Sequence, residues 1–271
     1  MEENQLIGNL KAGHVKEAID VIESGECVDT DQEHILRISA ENGFIELVQY
    51  LIEKGVNIHT DKDYPLRWSA SEGHVDVVKY LVEKGANVHA ENDYALRWSA
   101  NRGHKDIVVY LIEKGANIHA DKDCALKMSA INGHMDIVKH LVKAGANIHA
   151  NEDIAFRLSA KNGHIEVAKY LINEGSDIYI DNDYALRWSA GFGHIDIVKY
   201  LMEQGNYDHV RYSDKIDPKM GIILYFKDKD LVITDHFTGT LEKFEREIEE
   251  NYKNNYENYY KQYREFIGKC K

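Results

Sequence analysis

The sequence predicts an all-α repeat solenoid of about seven 30-residue units, followed by a small C-terminal segment made of a β-hairpin and a long capping helix. Three observations predict it. Fourteen of the 19 glycines fall in two phases of a 30-residue period, one running from Gly13 to Gly193 and the other from Gly25 to Gly205. A short block keeps the same step: LRISA at 36–40, LRWSA at 66–70, 96–100 and 186–190, LKMSA at 126–130 and FRLSA at 156–160. The period then stops near residue 209 and a different text begins. Self-similarity of this kind marks a stack of one supersecondary unit, each too small to bury its own apolar face. The units run near 3–32, 33–62, 63–92, 93–122, 123–152, 153–182 and 183–209, which sets a repeat domain over 1–209 and a separate segment over 210–271.

Within the unit 63–92, Asp63 is placed to cap a first helix and Pro65 is tolerated in its first turn. Leu66, Ser69 and Ala70 share one face, the small pair allowing close approach by neighbouring helices. Gly73 suits the left-handed position that ends a short helix. A second helix follows, with Val75, Val78, Leu81 and Val82 as its apolar stripe. Asp76 near its start and Lys84 near its end both favour the helix dipole. Gly85 stops it, and ANVHAEN is read as a short extended turn into the next unit.

At these residues the chain resembles the ankyrin-repeat family. GHVDVVKYLVEKGANVHA at 73–90 matches the family pattern closely, and every unit but the first matches nearly as well. The front half departs: the family's T-P-L-H stands here as YPLR at 64–67 and as YALR at 94–97 and 184–187, and three residues of the finger are missing. A shorter finger implies fewer finger-mediated contacts. The variant D-Y-A-L-R-W-S-A with K-Y-L-[IV]-E-K-G-A-N-I-H-A resembles, more narrowly, the ankyrin sets of Mimivirus-like giant DNA viruses. That resemblance implies a non-enzymatic scaffold binding a protein partner through a concave face, with a host protein as target and the host cytoplasm as location.

The ends of the array differ. Glu17 and Asp20 stand in the first unit where later units carry Leu47, Val77, Ile107 and Tyr50, Tyr80, Tyr110, a polar outer face suited to a terminal repeat. The last unit keeps its apolar pattern at Ile195, Ile197, Val198, Tyr200 and Leu201, so residues 210–271 are expected to cover it. There GIILYF (221–226) and LVITDHF (231–237) flank KDKD and read as a hairpin. Thr238 or Thr240 then caps one helix of roughly 27 residues, about 40 Å long, carrying Leu241, Phe244, Ile248, Tyr252, Tyr256, Tyr259, Tyr263 and Phe266. Its tyrosines suggest an alternative role, homo-oligomerisation through 240–267.

Composition narrows the chemistry. The net charge is −13, and all of the excess acid lies in 1–209, with 21 Lys and Arg against 34 Asp and Glu; residues 210–271 balance at 12 and 12. Nucleic acid is therefore not an expected partner, because its binding rests on Lys and Arg neutralising phosphates. Asp61, Asp63, Glu91, Asp93, Asp121, Asp123, Asp181 and Asp183 read either as an acidic rim that steers a basic partner or as helix caps. No run reaches the ~18 apolar residues of a membrane span, and MEENQLIGNL lacks the features of a secretory signal. Cys27, Cys124 and Cys270 lie far apart and form no metal knuckle, which favours a reducing, intracellular compartment.

No HExxH, GxSxG, phosphate loop or dinucleotide fingerprint is present, so neither catalysis nor a cofactor is expected. His59, His89, His119 and His149 recur once per unit, as do His74, His104, His134, His164 and His194. Stacked helices stand ~8–10 Å apart whereas Zn–N bonds are ~2 Å, so successive rungs cannot share an ion. Arg67, Arg97, Lys127, Arg157 and Arg187 replace a family histidine and are assigned a structural role between repeats, with cation–π contact to Trp.

Variation between units follows one stripe of the first helix, at steps i, i+4, i+7 and i+8. It carries Tyr64, Trp68, Ser71 and Glu72; Tyr94, Trp98, Asn101 and Arg102; Met128, Ile131 and Asn132, with Cys124; Leu158, Lys161 and Asn162, with Ile154; and Tyr184, Trp188 and Phe192. All three tryptophans share one phase. Either they line a partner-binding groove or each indole packs between adjacent first helices. The resemblance places the pair before each GH in the groove, and that pair is expected to be the most exposed.

Overall fold

In the computed structural model, five repeat junctions turn on a feature of sequence that contains no glycine. Residues 61–63, 91–93, 121–123, 151–153 and 181–183 all have φ between +45° and +60°, three successive left-handed residues at each of these five junctions. Left-handed backbone disfavours L-residues by ~1–2 kcal/mol each, least for Asp and Asn, and eleven of these fifteen residues are Asp or Asn. The expected extended turn is thus a single left-handed coil that feeds directly into the first helix.

The structure describes residues 8, 10, 14–23, 32–205, 207, 210–213, 223–234, 236–253 and 257–271. Gly13, Gly25, Cys27, Gly221, Ile222, Asp235 and Tyr256, used in the reading above, lie outside them. The chain forms two compact units, Met1–Asn147 and Ile148–Lys271.

The first unit holds α1 (Val15–Glu23), α2 (Gln32–Glu41), α3 (Ile45–Glu53), α4 (Thr60–Glu72), α5 (Val75–Glu83), α6 (Ala90–Arg102), α7 (Lys105–Glu113), α8 (Ala120–Ile131) and α9 (Met135–Lys143). The first helices of the repeats (α2, α4, α6, α8) form one layer, and the second helices (α1, α3, α5, α7, α9) form the other. Leu66, Ser69 and Ala70 are buried as expected. On α5 the buried stripe is Val77, Val78 and Leu81, one step round from the expected one, with Val75 and Val82 half-buried. Glu17 and Asp20 are exposed whereas Leu47, Val77 and Ile107 are fully buried, so the outer face of the first repeat is polar.

The second unit holds α10 (Ala150–Lys161), α11 (Ile165–Asn173), α12 (Ile180–Gly191) and α13 (Ile195–Gln204), then β1 (Val210–Ser213), β2 (Ile223–Phe226), β3 (Leu231–Ile233), β4 (Thr238–Gly239), α14 (Leu241–Tyr252) and α15 (Glu257–Cys270). The expected hairpin is β2–β3, joined by a 3₁₀ turn at Lys227–Lys229 and extended on both sides into a four-stranded antiparallel sheet. Its two faces bury different partners. Ile223, Tyr225 and Val232 pack with Phe244, Ile248, Tyr263 and Ile267 of α14 and α15. Leu224, Phe226 and Ile233, on the other face by strand alternation, are also buried, and β2 and β3 meet α12. The sheet is thus a middle layer between the last repeat and the C-terminal helices.

The single long helix is corrected to two. Thr240 caps α14, its hydroxyl accepting from the Lys243 N–H at 3.3 Å. The Tyr260 hydroxyl donates to Glu249 at 2.6 Å, and Arg264 and Lys271 both pair with Glu245. Contacts at these widening separations require α15 to run back along α14.

Candidate partner-binding face

The left-handed turns set the repeat geometry, and side chains on both flanks hold them. Arg67 donates from Nε to the Lys62 carbonyl at 2.9 Å and from an Nη to the Asp61 carbonyl at 2.7 Å. Arg97 and Arg187 repeat both bonds, and Arg157 makes the second with Asn151. The cation–π partners are tyrosines, not the expected tryptophans: the Arg67 guanidinium carbon lies 5.7 Å from the Tyr64 ring centre and 5.3 Å from that of Tyr94. Arg157 lies 5.0 Å from Tyr184.

The acidic positions divide. Asp63, Asp93, Asp123 and Asp183 are buried, so they form no exposed rim. Asp63 accepts from His59 Nδ1 at 2.9 Å and from the Asn87 N–H of the next repeat at 2.8 Å. Asp93 and Asp123 repeat the pair with His89 and Asn117, and with His119 and Asn147. The exposed members face cations: Glu91 pairs with Lys62 at 2.7 Å and Asp181 with Arg157. The second histidine set joins repeats through Nε2–H donation to a backbone carbonyl, from His74 to Glu41 at 2.8 Å, His104 to Ser71 at 2.9 Å and His134 to Asn101 at 3.0 Å. Among the described residues, no three His, Cys, Asp or Glu side chains converge on a metal position, and no helix is long and apolar enough to cross a membrane.

In the first unit the stripe carries a run of rings. Tyr64 and Trp68 stack at 5.5 Å between centres, Trp68 and Tyr94 follow at 6.2 Å, and Tyr94 and Trp98 at 5.6 Å. All four are half-buried, as are Met128 and Ile131. Each tryptophan is therefore in part a spacer between repeats and in part surface. Cys124, at the tyrosine position, is buried. A polar row runs beside the rings. The Tyr64 hydroxyl donates to Glu41 at 2.9 Å, Arg102 pairs with Glu72 at 2.7 Å, and Asn132 donates to the Asn101 side chain at 2.7 Å. Burial and the Glu41 bond push the Tyr64 hydroxyl up to about 12. Ser71, expected to be exposed, is 1% exposed and leaves the surface. Its neighbour Glu72 and the pair Asn101–Arg102 remain accessible.

In the second unit Ile154, Leu158, Lys161 and Tyr184 are half-buried and Asn162 is exposed. Trp188 is 39% exposed and Phe192 54%, the rings stacked at 5.8 Å, with Lys161 Nζ 4.5 Å from the Trp188 ring centre. Two further exposed apolar residues escaped the sequence reading. Tyr179 (42%) occupies the position of His59, His89, His119 and His149, a visible break in the pattern. Ile195 (37%), expected to be covered by residues 210–271 with the rest of the last repeat's apolar pattern, is exposed.

A family model of ankyrin repeats matches in three copies, over residues 8–92, 88–152 and 148–212, about three quarters of the chain. The chain belongs to the ankyrin-repeat family. Ankyrin repeats generally mediate protein–protein interaction and are typically non-enzymatic scaffolds. In these ankyrin repeats the left-handed coil links the second helix of one repeat to the first helix of the next. No curated protein matches the chain.

Proposed function

We propose that this ankyrin-repeat chain is a non-enzymatic scaffold that binds a protein partner through the first-helix face of its repeats. The observation that carries the reading is the ring run Tyr64–Trp68–Tyr94–Trp98 with its polar row. Large rigid rings beside hydrogen-bonding groups are the composition of interface hot spots. Glu72, Asn101, Arg102, Met128, Ile131 and Asn132 extend that face in the first unit. Leu158, Lys161, Asn162, Tyr184, Trp188 and Phe192 form its counterpart in the second. The net charge of −13 favours a basic partner through encounter rate. The resemblance to giant-virus ankyrin sets supports a host protein as target, met in the host cytoplasm.

Residues 1–209 then form the binding domain and 210–271 its cover. Oligomerisation through 240–267 is less well supported, because Tyr263, Phe266 and Ile267 are buried within the segment's own core and Tyr252, Tyr259 and Tyr260 pack against it. The test is affinity capture from amoeba lysate with the wild type and with Trp68→Ala/Trp98→Ala/Trp188→Ala, each checked for folding by circular dichroism. A specific protein retained by the wild type and lost by the folded variant is the expected result. Identical capture by both would move the binding surface off this face.

A further inference from the structure

Equivalent pockets open at two repeat junctions, one in each unit, each about 400 Å³ in volume. Six lining positions correspond at an offset of two repeats, and Gly193 also lines the second pocket. The first is lined by Gly103, Lys105, His134, Met135, Asp136 and Ile137. In the second, Gly163, Ile165, His194, Ile195, Asp196 and Ile197 take those places. One exchange changes the chemistry. In the first pocket Lys105 Nζ lies 3.3 Å from Asp136, so a cation of the chain itself sits on the carboxylate. In the second the lysine is Ile165, and Asp196 is exposed with no ion-pair partner among the described residues.

The surroundings differ in the same sense. Beside the second pocket Phe192 takes the place of the first pocket's Asn132, and its ring stacks on His194 at 6.4 Å. With Trp188 and Ile195 it gathers three of the four exposed large apolar side chains among the described residues into one stretch of eight residues. Scattered exposed apolar residues need no explanation, whereas a contiguous group beside an unneutralised charge marks a contact site.

We infer that this pocket docks a basic–apolar segment of a protein partner, whose aliphatic side chain enters between Ile165 and Ile195 and whose Lys or Arg takes the place on Asp196 that Lys105 takes on Asp136. The inference rests on the chain being a protein-binding module and adds a site outside the ring run of the first unit. Charge complementarity selects a cationic occupant. Asp196 has no ion-pair partner among the described residues, the repeats carry all of the chain's excess acid, and Lys161 is already seated on the Trp188 and Phe192 rings.

The test is fluorescence anisotropy of labelled peptides on the full chain at physiological salt. The probes are Lys-Leu-Lys-Leu-Lys, its apolar-deleted match Lys-Gly-Lys-Gly-Lys and the charge-reversed Glu-Leu-Glu-Leu-Glu. Lys-Leu-Lys-Leu-Lys should bind the wild type best and lose about tenfold in Kd in both Ile165→Lys and Asp196→Asn. Ile165→Lys is compatible with the fold, because a lysine already stands at the equivalent position 105. No binding to the wild type, or equal binding to wild type and both variants, overturns the inference. So does preference for the acidic peptide, which would make Lys161 the anchor. Binding that survives Ile165→Lys but is lost in Trp68→Ala/Trp98→Ala would place the peptide on the ring run, overturning the pocket while upholding the broader reading.

Discussion

Glycine does two different jobs in this chain, and a single added methyl group separates them. Gly103 sits at φ +86°, and a Cβ there would stand 2.7 Å from the His134 ring of the next repeat. Gly85 has φ +100°, with open space where its Cβ would be. Alanine at 85 meets only the left-handed backbone penalty, ~1–2 kcal/mol. Alanine at 103 meets that penalty and also displaces the ring that donates to the Asn101 carbonyl. Urea unfolding should therefore place Gly103→Ala at least about 1 kcal/mol below Gly85→Ala; equal losses would show that the histidine contact contributes nothing. Both glycine phases were legible from spacing alone. The distinction was not, since it depends on a side chain 31 positions further on. Asp63 was misread for the same reason. An aspartate ahead of a helix looks like a cap, and its actual donor, the Asn87 N–H, lies 24 residues away.

At the scale of the element, the left-handed turn and its arginine form one device, and one repeat lacks half of it. Lys127 stands where Arg67, Arg97 and Arg187 each donate to two turn carbonyls, and it makes no such bond. A single ammonium cannot reproduce the guanidinium fork. Lys127→Arg should stabilise the protein by roughly 0.5–1.5 kcal/mol, the net range for an added hydrogen bond, and Arg97→Lys should destabilise it by a similar amount. Thermal melting of both variants checks this, and a lower midpoint for Lys127→Arg would mean that the fork does not hold the turn. Sequence pattern made the helices visible because burial imposes a period. It hid the turn, which has no glycine to announce it, and it hid the break between α14 and α15. There the three- and four-residue spacing of the tyrosines continues across the reversal. The half-buried state of Trp68 and Trp98 was equally invisible, because it depends on where the ring of the neighbouring repeat lies.

Over the whole molecule, burial acts on many tyrosines in one direction. It is the first cause of raised hydroxyl pKa values at Tyr64, Tyr80, Tyr94, Tyr110, Tyr170, Tyr207 and Tyr225. An unfolded tyrosine releases its proton near pH 10, whereas the folded groups hold theirs to higher pH, about 12 for Tyr64. Above pH ~10 the native state binds more protons than the unfolded one, so stability is full below that pH and declines as pH rises through the folded values. The urea midpoint should fall between about pH 10 and 11, and more gently in Tyr64→Phe/Tyr94→Phe; identical slopes would sink the argument. The junction bonds carry a consequence of a different kind. They run at constant offsets along the chain, 24 residues from Asp63 to Asn87, Asp93 to Asn117 and Asp123 to Asn147, and 33 from Glu41 to His74, Ser71 to His104 and Asn101 to His134. A recombination that deletes or duplicates thirty residues among these repeats, wherever its breakpoints fall, rejoins the same donors to the same acceptors. In hereditary terms the array is written in interchangeable words, and its length is free to drift while the face it presents is re-edited one repeat at a time.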